Sequence, residues 1–108
     1  MNKYRVIYSP AAYNDLDGIV SYIIETYKDV KAARSLSELI RSKIRSLTDI
    51  PERYPTVEWE PWSSENMHKI PIRKFIVFYS VNIIEKTVTV VRILYSGRNT
   101  EDLIKNDR

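Results

Sequence analysis

The stretch from Thr87 to Asn99, TVTVVRILYSGRN, constrains this chain more than any other. Val88, Val90 and Leu94 alternate with Thr89, Val91, Ile93 and Tyr95, so an extended backbone here carries largely apolar side chains on both faces. A strand buried on two faces belongs in the middle of a sheet, not at its edge. Arg92 is the exception. Alternation sets it on the face of Val90 and Leu94, where it reads as a structural cation held by a helix carboxylate or a carbonyl. The run breaks at Ser96-Gly97 and presents Tyr95, Arg98 and Asn99 around the strand end. A rigid strand delivering a hydroxyl and a cation to its tip is one way to build a site. It is equally what a strand does on meeting solvent.

The rest of the chain supplies the layers around that strand. Tyr4 to Tyr8 alternates as a first strand, with Tyr4, Val6 and Tyr8 on one face and Arg5 and Ile7 on the other. Ser9-Pro10 then offers an N-cap followed by proline at the first helical position, where its missing N–H costs nothing. Ala12, Leu16, Ile19, Val20, Ile23 and Tyr27 recur at helical spacing, and the acids Asp15 and Asp17 lie early, where the helix dipole favours them. Lys28-Asp29 interrupts, with Asp29 as a cap for a second helix. That helix runs on the stripe Ala33, Leu36, Ile40, Ile44 and Leu47, with Arg34, Glu38, Arg41, Lys43 and Arg45 on its solvated side. The short break makes the pair a helical hairpin facing a common sheet.

From Thr48 to Asn66 the periodicity dissolves. Pro51, Pro55 and Pro61 forbid a helix, and a loop of this length in a compact domain is uncommon. Trp59 and Trp62 within it read as packing lids over the core, with a ligand cage as the alternative. His68 to Ile72 follows as a short strand that Pro71 places near an edge or bulge. Arg73-Lys74 is a basic turn, Phe75 to Val81 a strand apolar on both faces, and Asn82 to Lys86 a hairpin connection. Thr100 to Ile104 forms a terminal helical turn capped by Asn99 or Thr100. The expected fold is α+β in the order β-α-α-β-β-β, with a helical hairpin packed on one face of a four-stranded, mainly antiparallel sheet. The long loop, or a concavity, is left for the other face.

Residues 1–108 are the length of one ordinary domain. There is no cysteine, so thiolate metal sites, disulfides and cysteine nucleophiles are excluded, and the single histidine can ligate no metal alone; no cofactor is expected. No signal peptide is visible and no apolar run approaches the roughly 20 residues of a membrane helix, so a cytoplasmic protein without membrane partners is expected. The net charge of +3 is a mild excess that suits an acidic partner.

Three ordered segments together resemble the RelE/ParE superfamily, the toxin halves of type II toxin–antitoxin pairs. They are YRVIYSPAAYNDLDGIVSYI at 4–23, KFIVFYSV at 74–81 and RILYSGRNTEDLI at 92–104. The resemblance implies a growth-inhibiting toxin neutralised by a cognate acidic, partly disordered antitoxin in a hetero-oligomer. It implies one of two targets, the ribosome with its mRNA or DNA gyrase. Cleaving members need no metal. They need a base for the 2′-hydroxyl, cations for the developing phosphate charge and a donor to the leaving oxygen. Their third-strand arginine matches Ile76 here, and the tyrosine some of them carry near the C-terminus falls near Ile104 and is missing. Their arginine beyond the last strand matches Arg98, and a second-strand lysine matches Lys69. His68 and Tyr95 are the possible substitutes in a nuclease. Replacing a cation by isoleucine removes charge stabilisation worth powers of ten in rate. The expectation therefore leans to gyrase inhibition. The alternatives are a metal-independent, ribosome-dependent endoribonuclease and a degenerate module that binds antitoxin without toxicity.

Each candidate has a plain reading beside the functional one. Arg98 is a target or antitoxin contact, or a turn cation pairing with Asp102 or Glu101. Tyr95 is a contact residue or half-buried packing. His68 is a base by chemistry or an ordinary strand residue. Arg73 and Lys74 touch phosphate or an acidic antitoxin, or form a solvated turn.

Overall fold

The computed structural model describes residues 3–97, 101, 103 and 104, and these form the expected order of elements. Strand β1 spans Arg5–Tyr8, helices α1 and α2 span Pro10–Tyr27 and Val30–Arg45, and strands β2, β3 and β4 span Met67–Ile72, Phe75–Asn82 and Thr87–Tyr95. The four strands make one sheet in the order β1-β4-β3-β2, so β4 is interior. β2, β3 and β4 form an antiparallel meander, and β1 returns parallel to β4 after the helical crossover.

Local chemistry sets the helix ends. The Ser9 hydroxyl accepts from the Ala12 amide at 3.0 Å and donates to the Val91 carbonyl at 2.9 Å, so one side chain caps α1 and staples it to β4. Asp29 caps α2 by accepting from the Ala32 amide at 2.9 Å. Between them Lys28 takes the left-handed conformation that ends α1. The early acids of α1 are not in its first turn. Asp15 serves another partner, described below. Tyr27, expected on the buried stripe, is 65% exposed and meets the edge of Tyr22 instead, because the core ends before the last turn of α1.

One core lies between the helices and the sheet. Leu16, Ile40, Ile44 and Leu47 meet Ile70, Val77, Tyr79, Val88, Val90 and Ile93 there. Val88, Val90 and Ile93 cannot share a face in an unbroken strand. They do so because the β3–β4 register slips between Phe78 and Tyr79: Phe78 pairs with Arg92 and Tyr79 with Val90, leaving Val91 as an extra residue. The bulge corrects the sequence reading of β4, since Val90 packs under the helices while Leu94 lies on the other side.

The second face is closed by the long segment after α2. It is not featureless but turns through three short 3-10 helices, Ser46–Thr48, Pro51–Arg53 and Trp62–Glu65. Val57 and Trp62 are buried against Met67, Phe78 and Leu94, and Trp59, Ile76, Val91, Leu103 and Ile104 pack around them. Trp62 lies 4.9 Å from the Phe78 ring and Trp59 stacks on Trp62 at 5.1 Å. Both tryptophans are thus packing groups. The same segment guards the sheet edge. Val57 N–H donates to Met67 O and Lys69 N–H to Pro55 O, and Pro71 offers no donor on the rest of β2. Glu101, Leu103 and Ile104 are helical, whereas the proposed caps Asn99 and Thr100 lie outside the described residues.

Candidate functional site

Strand alternation divides the candidate residues between the two faces of the sheet. Ile70 and Ile72 of β2 belong to the helix-side core, so Lys69, directly before Ile70, points the other way, where it is exposed. Ile76 shares that far face, pairing with Pro71 and Leu94 and packing into the cluster under Trp62. Lys69 stands opposite Phe78 on β3. Among the described residues this face therefore holds Lys69 and, across Phe78, Arg92 with its carboxylate partner, beside aromatic and aliphatic side chains.

His68 lies on the opposite face, 3% exposed and stacked on the Tyr79 ring at 5.3 Å. Its two ring nitrogens face two acceptors. Asn66 Nδ2 donates to the Val81 carbonyl at 3.0 Å and sits 3.4 Å from a Glu52 carboxylate oxygen. Both are acceptors, so the amide oxygen must face His68 Nε2, at 3.3 Å. His68 Nδ1 lies 2.7 Å from the Tyr54 carbonyl and donates to it. Asn66 itself is left-handed, with φ 53°. The imidazole is a strut between β2 and the long segment, facing away from Lys69.

Tyr79 completes this strut. Its hydroxyl donates to the Pro51 carbonyl at 2.6 Å while its ring is fully buried. Burial pushes the Tyr79 phenol well above its ordinary value. Burial also raises Tyr8, against the pull of the Arg41 and Arg45 guanidiniums. Unfolded tyrosines ionise near 10, so above that pH the folded chain holds protons that the unfolded chain has lost. The stabilisation from these phenols is complete below about pH 10 and declines as pH rises toward the folded values. We expect the ultraviolet phenolate titration to show a late stage that coincides with loss of far-ultraviolet circular dichroism. Tyr79→Phe should remove most of that stage.

Tyr95, Arg73 and Lys74 come together at one end of the sheet. Phe75 pairs with Tyr95, their rings meet edge-on at 6.0 Å, and the Ser96 amide donates to the Lys74 carbonyl at 2.8 Å. Tyr95 is 49% exposed and its ring lies over Gly97, where any Cβ would collide with it. Arg73 takes a left-handed φ of 55° in the turn. Arg98, three residues beyond Tyr95, lies outside the described residues, as does Asp102, one of its suggested partners.

Sequence reading anticipated a helix carboxylate or a carbonyl for Arg92, and the partner is the carboxylate of Asp15. Asp15 Oδ2 accepts from Arg92 Nε at 2.7 Å and from the Ile93 amide at 2.9 Å, while Oδ1 accepts from Arg92 Nη2 at 3.0 Å. One carboxylate of α1 thus clasps the bulge of β4 from the side chain and the backbone. The available signal was an acid directly before the buried Leu16, on a helix whose other carboxylates, Asp17 and Glu25, are exposed. Among the described residues no three His, Asp or Glu side chains gather as a metal set, and no helix is long and apolar enough to cross a membrane.

Comparison with known proteins matches this arrangement to one group. A family model described as the ParE toxin of the type II toxin–antitoxin system parDE matches residues 6–100. Among solved structures, the chromosomal ParDE system of P. aeruginosa superposes with a TM-score of 0.70 at 15% identity, over 88% of this chain and 98% of that one. A mutant of the E. coli toxin RelE in the free state gives 0.65 at 13% identity, over 95% and 92%. The archaeal RelE–RelB complex of Pyrococcus horikoshii OT3 gives 0.60 at 18% identity, over 91% and 99%. At such identities the structural likeness speaks for the fold alone. Comparison with curated protein sequences found no match.

Proposed function

This chain belongs to the ParE toxin family of type II toxin–antitoxin systems, and from that premise we propose that it arrests growth by inhibiting DNA gyrase. A cognate acidic antitoxin neutralises it in a hetero-oligomer. The observation that carries the choice of target is the state of the far sheet face. At the position where cleaving relatives set a cation, Ile76 packs with Phe78, Leu94, Leu103 and Ile104 beneath Trp62. A phosphate in transit would find a hydrophobic cluster there and not a cradle of donors, and such a face offers a developing charge no stabilisation. The segment that closes the face, residues 49–66, carries five carboxylates against one arginine. That charge repels mRNA phosphates. Neither feature hinders contact with a protein surface.

The nuclease reading retains Lys69 and Arg98. It requires Arg98 to act without the second cation, and it places His68 and Tyr95 in new roles although neither shares the face of Lys69. A toxin that had lost its activity while still binding antitoxin would also carry Ile76.

Induction in cells lacking the antitoxin separates the three. The gyrase reading predicts growth arrest with a DNA-damage response, altered plasmid supercoiling and intact transcripts. Transcripts cut at codon boundaries, with cutting lost in Arg98→Ala, would overturn it. Unimpaired growth beside tight antitoxin binding would select the inactive module.

A further inference from the structure

The outer side of α2 carries a line of charge that the proposed function has not used. Lys31, Arg34, Glu38, Arg41 and Arg45 follow one another at spacings of three, four, three and four residues, which places them on a single stripe. The stripe extends about 21 Å at the ordinary helical rise. All five are exposed, and so are Ser35 and Ser42 beside them. The helix holds five cations, Lys43 included, against the one glutamate. Among the described residues no carboxylate comes within salt-bridge distance of any of the five. Arg41 bonds only the Ser37 hydroxyl of its own helix, at 3.4 Å. Asp17 and Glu25 on the neighbouring α1 are exposed and leave the stripe unpaired. A surface that serves solubility alone intersperses both signs. This one sets four cations against one acid.

We propose that the outer face of α2 docks on the backbone of duplex DNA. Lys31, Arg34, Arg41 and Arg45 meet successive phosphates, and the Ser35 and Ser42 hydroxyls donate to the oxygens between them. Composition of the ridge selects this partner. A bound peptide helix needs apolar anchors, and beside the stripe these are confined to its N-terminal half, in the groove that Val20, Ile24, Val30 and Ala33 line together with Arg34 and Glu38. A single strand needs rings on which its bases stack, and α2 contains no aromatic residue. A straight row of guanidinium and ammonium groups with interleaved hydroxyls suits the regular phosphates of a duplex. The acidic segment 49–66 closes the opposite side of the sheet, so the field orients the helices toward DNA. The inference deepens the gyrase reading, because the substrate of that enzyme is duplex DNA.

The test is fluorescence anisotropy of the purified toxin with a short duplex of mixed sequence, over a range of salt. Four phosphate contacts predict a slope of about −3.6 in log K against log salt, a weakening on the order of 100-fold between 50 and 200 mM. The variant Lys31→Gln/Arg34→Gln/Arg41→Gln/Arg45→Gln keeps good helix formers and should lose both the binding and the slope. Its affinity for antitoxin should stay unchanged. If the fourfold variant fails to show the native circular dichroism, the single Arg→Gln variants replace it, each lowering the slope by about one. No duplex binding by wild type at 50 mM salt would overturn the inference. So would a folded variant that binds like wild type, tighter binding to single-stranded RNA, or loss of antitoxin affinity in place of DNA affinity. Salt-dependent duplex binding by a toxin that leaves gyrase untouched would sustain the inference while the gyrase reading falls.

Discussion

Asp15→Ala should destabilise the free toxin by about 3 kcal/mol, the range seen when one member of a largely buried ion pair is removed. For a domain of this size that corresponds to a drop of roughly 10–20 °C in midpoint temperature. The loss has two sources. Arg92, whose side chain is only 21% exposed, would lose the bidentate acceptor that neutralises it. The Ile93 amide would lose its acceptor at the bulge, where the neighbouring strand does not replace it. Asp15→Asn should cost less, because one oxygen survives, but its amide must then point a donor at a donor. The pair Asp15→Leu/Arg92→Met should be more stable than Asp15→Ala, since it removes the guanidinium together with the carboxylate that it bonds. Thermal and urea unfolding of the four proteins checks the order. If Asp15→Ala melted within a degree or two of wild type, the clasp would be a surface contact of little consequence.

Trp62→Ala should cost about 3–5 kcal/mol, the usual range for truncating a large buried aromatic side chain. Trp62 is 5% exposed and covers Phe78 while supporting Trp59 on its outer side. Removing it opens the far face above Met67, Phe78 and Leu94 and leaves Trp59 without its stacking partner. Near-ultraviolet circular dichroism should lose most of its tryptophan signal while the far-ultraviolet spectrum stays native. Trp59→Ala, at the partly buried outer position, should cost clearly less. Equal losses for the two would mean that the stack, and not the burial of Trp62, holds the face closed.

These two sites mark where sequence reading reached its limit. The central position of β4 was legible because Val88 to Tyr95 is apolar on both faces, and only an interior strand accommodates that. Pro71 announced an edge for the same kind of reason. The bulge at Val91 was not legible, because the alternation of Val88, Val90, Arg92 and Leu94 looks unbroken until β3 is laid beside it. Its existence depends on Phe78 and Tyr79, more than ten residues away in the chain. The choice of Asp15 as partner of Arg92 is likewise a product of how α1 crosses the sheet. For the candidate site, alternation separated His68 from Lys69 but could not say which face the helices would cover. Burial of His68 between Tyr79 and the segment 50–66 depends on that choice. The apolar character of the far face was foreshadowed by Ile76 alone.

The most direct measurement of the central claim is a supercoiling assay with purified gyrase, relaxed plasmid and this toxin, run beside a translating-ribosome assay with a defined mRNA. The packed far face around Ile76 predicts that the toxin inhibits gyrase, that antitoxin restores activity, and that the mRNA stays whole. Uninhibited gyrase together with mRNA cut in the decoding site would contradict it, and would mean that Lys69 and Arg98 suffice where Ile76 offers nothing.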